Sequence, residues 1–297
     1  MFSRQKTGSV VCTSCGRLVG VNDERCYNCG RRNPGLWGFG PTLRRFGNDL
    51  GFVNLVVYGC SALYGITLFL SMALGFNVLG GGNLFNILSP NPNVTLAFGS
   101  SGLRPVLGGG MWWTVLSAGW LHGSILHILF NMLWVRQLGP AVAEIYGAGR
   151  MVIIYTVAGV TGFALTTAAA YFLYWMPIPS LRGAFDTLGA SAPIFGLLGC
   201  LVYYGRRSGS SMLGAQALQY ALVLGIFGFI MPGVDNYAHA GGFVGGYLVG
   251  MWLDPLKSER MDHLVWAVVC MAATGAAILA SMITVGPPLL QALLSTS

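Results

Sequence analysis

The sequence predicts an all-α polytopic membrane protein with a small metal-binding domain at its N-terminus. Three observations predict it: a composition too apolar for a soluble globule, uncharged stretches of about 20 residues recurring along the chain, and two pairs of cysteines near the start. Of the 297 residues, 54% are hydrophobic and 8% charged, about a third of the charge density of a water-soluble domain. The 44 glycines and 13 prolines are scattered among long apolar runs, which excludes a collagen-like repeat and general disorder. The formal charge of +7 does not point to nucleic acid. Eight of the 16 Lys and Arg lie in the first 50 residues, beside the first hydrophobic run, where membrane orientation accounts for them.

Residues 1–35 are polar and lack the unbroken apolar core of a signal peptide, so they read as a retained domain, joined to the membrane by a linker at 36–51. Cys12-Thr-Ser-Cys15-Gly16 and Cys26-Tyr-Asn-Cys29-Gly30 are two C-x-x-C knuckles, each followed by a glycine that lets the backbone turn its amides toward the sulfurs. Four thiolates so spaced can enclose a tetrahedral Zn2+, whose binding would supply most of the folding energy of so short a segment. Two disulfides are the rival reading, disfavoured in a reducing compartment. Four thiolates leave zinc no open position, so the expected role is a structural cap or a docking site for a protein partner. Cys60, Cys200 and Cys270, each alone in an apolar run, read as small core residues.

Seven spans are expected, at about 52–74, 121–135, 151–175, 188–205, 212–231, 237–253 and 264–285. A cytoplasmic N-terminus then places Arg136, Arg150, Arg206, Arg207, Lys257 and Arg260 on the cytoplasmic side, leaving only Arg104 and Arg182 outside. The connection at 76–111 is too long for a mere linker. It ends in Trp112-Trp113, a pair suited to the outer headgroup level.

Ionisable groups inside hydrocarbon are costly and therefore functional candidates. His127 and Asn131, four residues apart, share a helix face. His122 can join Asn131 only if the helix begins after it, and Gly123-Ser124 is a plausible start. The fourth span opens on Gly189-Ala190-Ser191, with Phe195 one turn beyond, and the sixth carries His239 followed by Gly242, Gly246 and Gly250. That glycine repeat makes a groove in which a neighbouring helix comes close enough for a serine to meet a histidine. Taken singly, each polar group could equally be an interhelical hydrogen bond. Together they suggest hydrolysis: Ser191 as nucleophile and His239 as base, with the Ser191 amide, His122 and Asn131 as donors to an oxyanion. Asp235 at the membrane edge is the one acid near His239, so a dyad is more economical than a triad.

In these motifs the chain resembles the rhomboid intramembrane serine proteases. The match runs through Trp120-Leu121-His122, His127 and Asn131, then Gly189-Ala190-Ser191, then Ala238-His239 with its glycines, over about residues 50–255. The resemblance implies a six-helix core at 52–255 with a seventh transmembrane helix and tail at 256–297. It implies catalytic Ser191 and His239, an oxyanion group of His122 and Asn131, and support from His127, Gly189 and Phe195. The implied substrates are single-span membrane proteins cut in or near their transmembrane segment, without a catalytic cofactor. Two departures stand out: Thr114 follows Trp113 where the family usually has arginine, and Phe195 stands where tyrosine commonly stacks on the histidine. Glu144 resembles an acidic residue that the family keeps past the second span. The alternative is a non-proteolytic relative that binds or chaperones transmembrane helices, and a histidine-lined transporter is the third reading. A bacterial inner membrane fits the cytoplasmic zinc ribbon.

Overall fold

The computed structural model describes residues 4–13, 15–44, 47–79, 86–178, 181–231 and 233–294. The N-terminal module is an antiparallel hairpin of β1 (Ser9–Val11) and β2 (Leu18–Gly20), with Val10 opposite Val19. Its core is Val10, Val19 and Val21 closed over the cysteines. Gly16 and Gly30 turn with φ of +75° and +72°, and their amides bond back to the carbonyls of Cys12 and Cys26. A short helix, α1 (Gly40–Arg44), leads to the membrane part.

Seven long helices follow among the described residues: α2 (Phe52–Ala73), α5 (Ile125–Tyr146), α6 (Ala148–Phe172), α7 (Ser191–Ser208), α8 (Ser211–Ile230), α9 (Asn236–Trp252) and α10 (Met261–Leu294). The long first connection contains two short helices, α3 (Pro92–Ala97) and α4 (Thr114–Ser117). Asn91 caps α3, accepting from the Asn93 amide, and Pro92 fits its first turn, where no intrahelical donor is needed. Thr114, in the place of the expected arginine, is fully buried and donates to the Met111 carbonyl at 2.8 Å, beside the Ser101 hydroxyl. Small hydroxyls thus take the place of a guanidinium at this position, while Arg104 elsewhere in the loop pairs with Asp186.

All seven expected spans are helical, in α2 and in α5 to α10. By length and composition α2, α6, α8 and α10 can cross a bilayer, and α5 becomes a fifth only when joined to 114–120 across a 93° bend. Helix α7, 18 residues long but ending in Arg206 and Arg207, and α9, 17 residues long, fall outside that test. A helix the length of α9 reaches about 26 Å, short of the roughly 30 Å of hydrocarbon. Both sit at the centre of the bundle, where α9 packs against α6 on one side and α7 on the other. The second span is displaced: the helix begins at Ile125 and runs through Arg136 and Pro140 to Tyr146. Its start is the expected one, because Ser124 caps it and accepts from the His127 amide.

Glycines set the spacing at the centre. A methyl at Gly242 would stand 2.8 Å from the carbonyl carbon of Ala192, and one at Gly246 would strike the Gly196 backbone. On the other face, a methyl at Gly241 would lie 2.7 Å from the Thr161 carbonyl, while the Thr161 hydroxyl donates to the Gly241 carbonyl at 2.9 Å. Helix α9 is therefore in backbone contact with both neighbours.

Candidate functional site

Ser191 is the first residue of α7 and His239 lies in the first turn of α9, so both stand at the same end of the two most closely packed helices. Phe195, one turn after Ser191, stacks on the His239 ring at 4.2 Å and 13° between planes. His239 is buried, and its Nδ1 has no hydrogen-bond partner among the described residues. Asp235 caps α9 instead of meeting the imidazole, its Oδ1 accepting from the Ala238 amide at 3.0 Å. Among the described residues no hydrogen bond joins Ser191 to His239. Such contacts are commonly long before a substrate binds.

The second group gathers around the start of α5. His122 precedes the helix in a non-helical segment, is 1% exposed, and has no partner at either ring nitrogen among the described residues. Its ring meets His127 edge-on at 5.1 Å. His127 accepts from the Gly123 amide, and Asn131 donates one amide hydrogen to the His127 carbonyl at 2.8 Å. Asn131 keeps a second amide hydrogen to give.

Gly189 joins the two groups. Its φ is +128°, and a methyl there would fall 2.5 Å from Nε2 of His127. Glycine is thus required both by the backbone conformation and by the imidazole pressed against it. Its amide bonds to the Ala118 carbonyl, while Ser101 and Thr187 exchange a pair of backbone hydrogen bonds. The first loop therefore fixes the strand that delivers Ser191, a role that sequence spacing did not announce.

At the other end of α9 lies a cluster that sequence reasoning passed over. Glu259, 6% exposed, accepts from the amides of Gly149 and Arg150 at 2.7 and 3.1 Å and so caps α6. The Arg150 guanidinium, 3% exposed, donates to the carbonyls of Tyr146, Leu253 and Asp254. Arg31 of the cysteine module reaches the other carboxylate oxygen of Glu259 at 3.6 Å. The only hint in the sequence was charge next to a span, which orientation had already explained. Glu144, the acid singled out instead, is exposed.

The four sulfurs of Cys12, Cys15, Cys26 and Cys29 lie within 4.8 Å of one another. Cys12 and Cys29 are 3.8 Å apart and Cys15 and Cys26 3.6 Å, too far for disulfides and close to the spacing of about 3.8 Å that a tetrahedral thiolate site requires at metal–sulfur bonds of about 2.3 Å. Burial opposes ionisation of Cys15, but hydrogen bonds from the Arg17 amide and the Asn28 side chain, with the neighbouring thiols, lower it from 9.0 to about 6. Burial pushes Cys29 up, offset in part by the Arg31 amide. The donor set fits a metal ion. Cys60 and Cys200 are fully buried core residues, and Cys270 packs against the same core.

A helical bundle with a polar centre, a serine and a histidine at one end of its two short inner helices, defines a class of polytopic membrane protein. Residues 109–255 match the family model described as Rhomboid domain. The chain is 32% identical over 188 residues to Rhomboid protease GluP of Bacillus subtilis, covering 62% of this chain and 34% of that protein. It is 30% identical over 175 residues to RHOMBOID-like protein 4 of Arabidopsis thaliana, covering 56% and 40%, and 24% identical over 188 residues to Rhomboid-like protease 1 of Toxoplasma gondii, covering 61% and 60%. The chain belongs to the rhomboid family. It aligns with between about a third and three fifths of these relatives' own lengths, and the cysteine module and α10 lie outside the matched domain.

Proposed function

We propose that the protein is an intramembrane serine endopeptidase that cleaves single-span membrane proteins in or near their transmembrane segment. The observation that carries this reading is the stacking of Phe195 on His239 one turn below Ser191, on two helices whose backbones touch. Ser191 Oγ attacks the scissile carbonyl while the His239 imidazole takes its proton. The negative charge on the carbonyl oxygen is met by the Ser191 amide, free at the start of α7, by the His122 ring and by the spare hydrogen of Asn131. The carbon–nitrogen bond then breaks, and the imidazolium gives its proton to the leaving amine. Water, deprotonated by His239, hydrolyses the acyl-enzyme. His127 and Gly189 set the position of the oxyanion group, and Phe195 that of the imidazole. A substrate helix must unwind first, since its peptide bonds are shielded by their own hydrogen bonds.

The cysteine module, residues 1–35, is proposed to hold structural Zn2+, with 36–51 as linker, 52–255 as the core and 256–297 as the added helix and tail. The module and the serine lie at opposite ends of the bundle, as a cytoplasmic N-terminus and a site opening to the outer face require. A bacterial cell membrane suits this orientation and the GluP relative. The purified protein should be labelled by a fluorophosphonate at Ser191, and Ser191→Ala or His239→Ala should abolish cleavage of a single-span substrate while leaving the fold intact. Labelling that persists in Ser191→Ala would remove the proposed nucleophile.

A further inference from the structure

The cysteine module does not hang free of the membrane core. Arg31 directly follows the second knuckle, and its carbonyl accepts from the Cys26 amide at 2.8 Å. Its side chain is almost wholly buried, with Nη1 toward the carbonyl oxygen and carboxylate of Glu259 and Nη2 against the Met261 sulfur at 3.5 Å. Glu259 sits in a recess that glycines make: a methyl at Gly147 would lie 2.5 Å from its carboxyl carbon, and one at Gly149 would lie 2.9 Å from the His263 backbone. One carboxylate thus faces the module with one oxygen and the first turn of α6 with the other. Arg150, on that same turn, holds the carbonyls that end α9.

We infer that the cysteine module is docked on the protein's own core, with the 253–261 connection as its partner and Glu259 as the shared anion, so that the metal braces the ends of α6 and α9. The inference rests on the metal reading of the four cysteines. The metal shapes the knuckle, the knuckle presents Arg31, and Arg31 neutralises the charge that caps α6. Removing a partner from a buried ion pair leaves an uncompensated charge, so the effect should propagate past the module. Because α9 is one continuous helix, the brace acts on the element that carries His239. The Arg31 face is correspondingly unavailable for recruiting a second protein.

Hydrogen exchange on the full chain in detergent, with bound zinc measured in parallel, tests this. Arg31→Gln should keep its zinc and raise exchange about tenfold or more at 253–261 and, to a smaller extent, in the capped turn at 147–152. Glu259→Gln should raise exchange in both segments, again with zinc retained. Chelation of the wild type should reproduce the Arg31→Gln pattern in addition to exposing residues 9–34. Arg32→Gln, an exposed neighbour on the same knuckle, should change nothing. If Arg31→Gln leaves 253–261 as protected as the wild type, the docking is overturned whether or not the cysteines bind metal. A chain that holds no zinc but still responds to Arg31→Gln would retain the docking and overturn the brace.

Discussion

The inner pair α7 and α9 and the outer helices α8 and α10 are built by opposite rules. The outer helices are long and apolar, and only 17% of their most apolar windows is buried inside the protein, so most of their surface faces lipid. The inner pair is shorter and rich in small residues, yet it carries Ser191 and His239 and makes the closest contact in the molecule. Helix α6, as apolar as α8 but 61% buried, shows that hydropathy alone does not tell lipid from protein as a neighbour. The candidate site lies on the inner pair, where the sequence relaxes its apolar demand in exchange for close packing and polar side chains.

This contrast can be broken most sharply at glycine. Gly246→Leu, driven into the Gly196 backbone, should cost at least about 3 kcal/mol and abolish function, whereas Gly275→Leu on α10, with open space around it, should change stability by less than about 0.5 kcal/mol. Unfolding of both variants in mixed micelles measures the difference. Next in size, Gly189→Ala strains a positive φ and pushes on His127, so fluorophosphonate labelling should fall by about a hundredfold, the order expected when reacting groups are misplaced by about 1 Å. Phe195→Ala should lose about 3 kcal/mol through the cavity it leaves and slow labelling, while Phe195→Tyr, which keeps the stacked ring, should leave the labelling rate close to that of the wild type.

The smallest effect concerns the cysteine module and its pH response. The Cys15 thiol, lowered from 9.0 to about 6, contributes stability to the folded module that is full above 9 and is lost as pH falls through about 6. Protons also compete with metal for the same sulfurs. Zinc affinity measured with a competing chelator should therefore weaken as pH falls from 8 to 5, with cleavage at the far end of the bundle reduced less than by any of the site variants. An affinity independent of pH would contradict ligation by thiolates.

Much of this was legible in advance, for identifiable reasons. The C-x-x-C pairs and the restart of the helix at Ser124 depend on short-range spacing, which a sequence displays directly, while the stacking of Phe195 on His239 was expected from its place one turn beyond Ser191 and from the family resemblance. The capping of α6 by Glu259 joins residues 110 positions apart, and the Arg31 contact spans 228. No local pattern encodes such pairings, and a charge beside a span already had an explanation. The central placement of α7 and α9 was less legible, because a window of small residues reads as apolar whether it meets lipid or another backbone. Thr114 could not be interpreted from sequence because its side-chain partner Ser101 lies 13 residues away in the irregular first loop.

Finally, α10 is tied to the first loop as well as to lipid. The Trp113 indole donates to the Ser281 hydroxyl at 3.0 Å, and Val285 and Leu289 pack with Val94, Phe98 and Leu121, the last adjacent to His122. During biosynthesis these loop residues wait for their partners until α10 has been made, after α2 to α9. The end of the bundle that bears Ser191 therefore stays incomplete until α10 arrives, which leaves a chain that stops short of it without a finished candidate site.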